Sequence, residues 1–423
     1  MSYFSKENPD RWYHLGWWLC AVTLPWPDML NNICLGFLTL TWISSKGLLY
    51  RLERIRTTRW ILPFAVYSAV LIIGMAYTSD VSYGFFTLGK KATFLLLPLI
   101  ALTGRPVTPG VFGFISKSFV YSCVLVILVC LAYSAFNFFN GGHAPFNFDL
   151  TTGDEFKVLH PQVSPTWMHF SYIELARWAG LHPAYFSMYL VFCLVILFYE
   201  NPPAKKKVIS ILLGVVIVAF IAMLSSRMAI MALVSTSLFL IVRKISEANG
   251  RRVVIIGTLL SVLAFFLWVN PVARFRVIEE PLITRYKADT SVNNWNSVSY
   301  RLLEWGGSWS IIQKNLFLGS GTGSGQLALS NFYDHFNSST TGLTHNAHNQ
   351  YLQVWMENGI PGLIAFLFCV FPFLLVKSSN QSHTAFVLIF GLMCLTESIG
   401  ERQKGIVFFT LFQSLFLALE TKQ

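Results

Sequence analysis

VAFIAMLSSRMAIMALVSTSLFL, residues 218–240, decides the fold class of this chain. Two apolar runs meet here with only Ser225, Ser226 and Arg227 between them, the pattern of two membrane helices joined by almost no loop. Outward from this hairpin the pattern repeats. Runs of roughly 15 to 22 apolar residues recur along the sequence, long enough to cross a hydrocarbon core of about 30 Å. The 423 residues are 54% hydrophobic and 12% charged, with mean hydropathy +0.55. Soluble domains carry about 25% charged residues, so the class is an all-α polytopic membrane helix bundle.

Twelve spans are expected, near 13–26, 28–45, 60–77, 84–103, 112–139, 183–200, 207–225, 227–244, 252–269, 360–377, 383–397 and 403–419. The first two are short and divided by Pro25 and Pro27, so they read as a re-entrant or tightly turned pair. The basic clusters Lys46, Arg51, Arg54, Arg56 and Arg59; Lys205, Lys206 and Lys207; and Arg243, Lys244, Arg251 and Arg252 fall on one side. Lys and Arg enrichment marks the cytoplasmic side. That puts both termini in the cytoplasm and two long loops, 140–182 and 270–359, outside. The net charge of +11 is then topogenic, and nucleic-acid binding is excluded as a reading. The N-terminus is too polar to open a signal peptide. The seven cysteines all lie in apolar segments without CxxC spacing, which argues against a disulfide framework or a metal site. No internal repeat is visible, so residues 1–423 read as a single membrane domain. The stretch SYIELARWAGLHPAY, 171–185, containing His182, suits a helix lying in the membrane interface.

The second outer loop holds the unusual residues. Within 299–316, Leu302, Trp305, Trp309, Ile312 and Leu316 form one helical stripe suited to resting on the bundle or the headgroup layer, with Arg301 and Glu304 off it. Arg301 is either a solvated helix residue or a site residue. GSGTGSG at 319–325 lacks the Lys-Ser/Thr ending of a phosphate loop and reads as a flexible turn. HNQYLQVWMENGIPG, 348–362, follows. A short helix is expected from Asn346 to Glu357, capped by Thr344 or Asn346 and ended by Gly359 and Pro361. His348 would then lie in the first turn, where the helix dipole disfavours the imidazolium and a neutral ring can act as general base. The competing reading is a structural hydrogen bond, and His345 and His335 are neighbouring candidates.

Three further features are polar within apolar surroundings. An arginine at the depth of Arg227 is by default a functional residue or half of an ion pair. With Arg301 it would offer two planar forks for a diphosphate. Lys90 and Lys91 interrupt the fourth span, as snorkelling residues or as phosphate contacts. ESIGERQKG at 397–405 reads as a salt-bridged hairpin or as part of a site.

Together these residues resemble the O-antigen ligase and polymerase superfamily of bacterial inner-membrane enzymes. The family's loop signature is a histidine, then Asn, Ser or Gln, nine residues, and a Gly-x-x-Gly ending. His348, Asn349, Gly359 and Gly362 meet it. The SSRMA context of Arg227 and the segment SYRLLEWGGSWSIIQKNLFLGSGTG, 299–323, are similar to family segments, and order and spacing agree over about 180–405. The resemblance implies transfer of a glycan from undecaprenyl diphosphate to an acceptor on the periplasmic face. For a ligase the acceptor is a sugar hydroxyl of lipid A–core. It implies His348 as base and Arg227, Arg301, Lys90 and Lys91 at the donor. Asn349, His345, Gly359, Gly362, His182 and Arg402 are expected in support. No DxD motif is present, so metal-independent, inverting transfer without a cofactor is expected. A polymerase or a protein O-oligosaccharyltransferase of the same superfamily, and more distantly a lipid-linked glycan transporter, remain open.

Overall fold

The computed structural model describes residues 10–45, 47–140, 165–199, 204–245, 250–283, 296–336, 342–372 and 380–420. Among these the regular structure is helical throughout, with no strand. Four helices are long and apolar enough to cross a membrane: Arg59–Tyr77, Val81–Thr103, Pro109–Phe139 and Gln350–Val370. The number is up to seven if each of three bent pairs is one span. The apolar helices Val208–Leu224, Arg227–Val242 and Gln381–Met393 are shorter.

The expected count of twelve spans is not confirmed: among the described residues four to seven pass as candidate spans by length and composition, although helices occupy each of the twelve stretches. The reason is length. Arg11–Thr23 has 13 residues, about 20 Å at ~1.5 Å per residue, short of a hydrocarbon core. It is closely packed on Asp28–Ser45, with Gly16 against the backbone of Leu38 and Asn31 donating to the carbonyl of Cys20 at 2.9 Å. That is the tightly turned pair the prolines suggest.

Two compact units are distinguished. The first comprises Met1–Phe119, Glu304–His383 and Cys394–Gln423. Its core is aromatic: Tyr67, Phe94 and Phe366 meet edge-on or tilted, Phe94 continues to Phe409, and Phe119 packs on Phe412. Leu62–Gly74 packs along Gln350–Val370, and Thr93–Thr103 along Gln403–Glu420. All seven cysteines are free.

GSGTGSG is not a loose turn but a wedge in this unit. Ser320 and Gly321 donate to the carbonyls of Met356 and Glu357 at 2.8 and 2.9 Å, and Thr322 donates to that of Gly74 at 3.2 Å. Gly319 has φ +72°, and a Cβ there would meet the Glu357 backbone at 2.5 Å. The glycines allow backbone to lie on backbone, so the loop is fixed by main-chain hydrogen bonds.

The second unit comprises Val120–Leu303 and Thr384–Met393. Phe186 packs on Phe220 and Phe192 on Phe386. The turn before Arg227 contains Ser225 in the left-handed region, φ +53°. The interfacial stretch is a short helix Tyr172–Ala179, bent 79° from Pro183–Phe198. After Val253–Val269 the chain bends 97°. Asn270 caps the new direction, accepting from Val272 N and Ala273 N and donating to Ser171 at 2.9 Å. The next turn, Phe275–Glu279, is π-helical. Residues 141–164 and 284–295 of the two expected outer loops lie outside the described residues.

Candidate active site

The histidine helix begins later than the sequence suggests. Asn349 is its N-cap, its side chain accepting from Tyr351 N and Leu352 N at 3.0 Å. His348 thus lies one residue before the helix, at φ +40°. Asn346 sets this bend, because its Oδ1 accepts from His348 N at 2.9 Å in an Asx turn. The left-handed region is uncommon outside glycine, and here it carries the ring away from the helix axis. The first-turn dipole argument therefore does not apply to His348.

Carboxylates take the place of the dipole. His348 Nδ1 lies 3.5 Å from Glu397 Oε2, and Nε2 lies 4.0 Å from Glu304 Oε1. The same Glu304 oxygen is 2.9 Å from His345 Nδ1. The Glu304 side chain is 2% exposed and that of His348 33% exposed, so a buried carboxylate lies beside a partly exposed imidazole. Burial, with the Glu304 charge adding to it, holds the Tyr333 phenol above its ordinary pKa, so it remains a donor toward the His345 carbonyl at 3.4 Å.

The expected stripe on the Glu304 helix, Ser297–Lys314, is divided. Ile312 is buried with Leu303, Glu304, Gly307, Ser308 and Ile311, whereas Trp309 is 45% exposed and meets Trp355 edge-on.

The histidine loop is tied down from below. Ala347 N donates to Gln353 Oε1 at 3.0 Å, and Gln353 Nε2 donates to Glu357 Oε1 at 2.7 Å. Glu357 meets Lys91 at 3.3 Å, and Lys91 meets Glu401 at 2.6 Å. Gln350 joins the same turn, its Oε1 accepting from Gly400 N at 2.6 Å, and Asn349 donates to the Leu395 carbonyl at 2.9 Å.

Lys91, read from sequence as a donor contact or a snorkelling residue, is instead fully buried between two carboxylates. Lys90 is 3.8 Å from Glu401 and stands over the rings of Tyr83 and Phe86. Lys404 pairs with Asp28 at 3.3 Å and donates to the Leu24 carbonyl at 2.9 Å. Arg402 is exposed. Gly359, φ +63°, lets Gln350–Val370 kink where a Cβ would meet the Phe317 carbonyl oxygen at 2.0 Å. Gly362 sits one turn further along the same helix, over Asn358.

A separate cluster lies in the second unit. Arg227 forms an ion pair with the buried Glu280, donates to the Arg276 carbonyl at 2.5 Å and to Ser297 Oγ at 3.2 Å. Glu280 also accepts from Ser297 N and Oγ at 3.1 and 2.6 Å. Arg276 lies over the ring of Tyr172 at 3.5 Å, and Tyr172 meets His182 edge-on. Arg301 is half-buried, with Nη1 3.5 Å from the Ser297 carbonyl. Sequence reading missed Arg276 and Glu280; their signal was a paired charge within an otherwise apolar stretch ahead of 284–295. Among the described residues, Arg227, Arg276, Arg301 and Glu280 form one charged group.

Residues 212–367 match the family model described as O-antigen ligase. The match supports a likeness to the O-antigen ligase-like superfamily, a family associated with ligase and polymerase activity. The match contains Arg227, Arg276, Glu280, Arg301, Glu304, His345, His348 and Glu357, while Lys91, Glu397 and Glu401 lie outside it. No curated protein matches the chain.

Proposed function

We propose that the protein is an O-antigen ligase of the bacterial inner membrane. It moves a glycan from undecaprenyl diphosphate to a sugar hydroxyl of lipid A–core at the periplasmic face, with the loops 140–182 and 270–359 on that side and both termini in the cytoplasm. His348 takes the proton of the acceptor hydroxyl, and the oxygen attacks the anomeric carbon from the face opposite the diphosphate. The bond from that carbon to the diphosphate oxygen breaks, inverting the centre and releasing undecaprenyl diphosphate as an anion. Arg227, Arg301 and Arg276 bind the donor diphosphate and offset the charge that develops on it, so no metal is invoked. Glu304 and Glu397 offset the positive charge the His348 ring acquires.

The observation that carries this reading is the His348 ring between two carboxylates, within a segment matching the ligase family. A polymerase holds two lipid-linked glycans and calls for a second cationic site. Of the residues that would furnish it, Lys90 and Lys91 are at Glu401, Lys404 at Asp28 and Arg177 at Glu174, 3.1 Å away, while Arg402 is exposed. This favours a single transfer.

A deletion strain tests the proposal on a lipopolysaccharide gel. Free lipid A–core, with long glycan retained on undecaprenyl diphosphate, is expected. Core bearing one repeat unit would assign the protein to the polymerases instead.

A further inference from the structure

The helix Leu48–Thr57 and the turn after it carry four arginines, Arg51, Arg54, Arg56 and Arg59, against the single acid Glu53. Arg51 is committed to the end of the preceding helix, donating to the Trp42 carbonyl at 2.8 Å and standing 4.6 Å over the Trp42 ring. Arg56 and Arg59 are exposed. Leu49, Leu52 and Ile55 recur at every third position and are 83, 46 and 38% exposed. Exposed leucines beside arginines on one short helix suit a bed of acyl chains and phosphates.

Next to Arg59 an apolar groove of roughly 910 Å³ opens on the surface of the first unit. Arg59 and Trp60 form its polar end, and Val66, Pro361, Ile364 and Phe368 line its length. Its geometry follows from the kink at Gly359, after which Pro361 and Ile364 run alongside Leu62–Gly74.

The groove's charged end is remote from the chemistry. Phe368 lies 18 residues beyond Gln350 and nine beyond the kink at Gly359. A donor whose diphosphate is activated near His348 does not present that diphosphate to Arg59. A second, anionic lipid would satisfy the groove and its arginines together.

We infer that the groove binds one acyl chain of an anionic phospholipid, with the lipid phosphate held by Arg59 and Arg56. The exclusion of the donor from this groove rests on the proposed reaction at His348, whereas lipid retention itself is read without transfer. Arginine grips phosphate oxygens bidentately, and an interfacial basic residue near anionic lipid is worth about fivefold in binding.

Native mass spectrometry of the full-length protein in detergent, titrated with phosphatidylglycerol or with phosphatidylcholine of the same chains, tests this. The wild type is expected to retain phosphatidylglycerol at about fivefold higher occupancy or more. Arg59→Gln should reduce that preference by about fivefold. Ile364→Trp, which fills the groove from a half-exposed position, should lower retention of both lipids. Equal retention of the two lipids by the wild type, or an unchanged preference in Arg59→Gln together with unchanged retention in Ile364→Trp, overturns the inference. So does displacement of the retained lipid by undecaprenyl phosphate at equal concentration, which would assign the groove to the donor's tail.

Discussion

Oε1 of Glu304 lies 2.9 Å from Nδ1 of His345 and 4.0 Å from Nε2 of His348, so one buried carboxylate serves both rings. Replacing Glu304 with Gln keeps the shape and removes the charge. At 4.0 Å Glu304 acts on His348 through charge and not through a hydrogen bond, an interaction of about 1–4 kcal/mol, or roughly 5- to 1000-fold in rate. Glu304→Gln should lower the turnover rate by that amount while donor affinity stays unchanged. His345→Ala, which leaves the base itself intact, should cost less than His348→Ala. Equal losses in the two histidine variants would give His345 the larger role.

Arg227 and Arg301 are expected to recognise the donor through their planar forks. Arg227→Lys and Arg301→Lys keep the charge but lose bidentate geometry. Both should weaken binding of undecaprenyl diphosphate to the purified protein, measured by calorimetry, and a chelator should change nothing. Wild-type affinity in both variants would remove the arginines from the donor site.

Lys91 lies between Glu357 and Glu401 with no exposed side-chain surface. Lys91→Met leaves the buried Glu357 without its cation, while Glu401 keeps Lys90 at 3.8 Å; breaking such a buried pair typically costs about 3–5 kcal/mol. A lower unfolding midpoint in detergent is expected, with part of the loss recovered by adding Glu357→Gln. A single variant as stable as wild type would show that the carboxylates do not depend on this lysine.

Gly359→Ala should disrupt the histidine helix, because its Cβ would lie 2.0 Å from the Phe317 carbonyl oxygen at φ +63°. Gly36→Ala makes a suitable comparison, since nothing lies within 4 Å of a Cβ there. Yields of folded protein by size-exclusion chromatography should fall sharply for the first and hold for the second.

Hydropathy made the helices legible because an apolar run long enough for a membrane needs no tertiary information to be recognised. The span count is not settled by hydropathy, since a mostly apolar 13-residue helix such as Arg11–Thr23 looks alike in sequence whether it crosses or only packs on a neighbour. Within the candidate site, His348, Arg227 and Arg301 stood out as isolated polar residues in or beside apolar sequence. Their partners did not. Glu304 and Glu397 are 93 residues apart and come to His348 only through folding, and Glu280 reaches Arg227 across 53 positions. The role of GSGTGSG was hidden for a related reason: glycines that permit a flexible turn also permit close backbone packing, and only the neighbouring chain decides which.

The central claim is that His348 activates an acceptor hydroxyl without a metal. It is tested most directly by transfer from undecaprenyl diphosphate-linked glycan to lipid A–core in vesicles containing the purified protein and a chelator. The wild type should form the product with inverted anomeric configuration. His348→Ala should still bind the donor but lose about 10²–10⁴-fold in rate, the usual contribution of a general base. A near-normal rate in His348→Ala, or transfer that requires added divalent metal, would contradict the account.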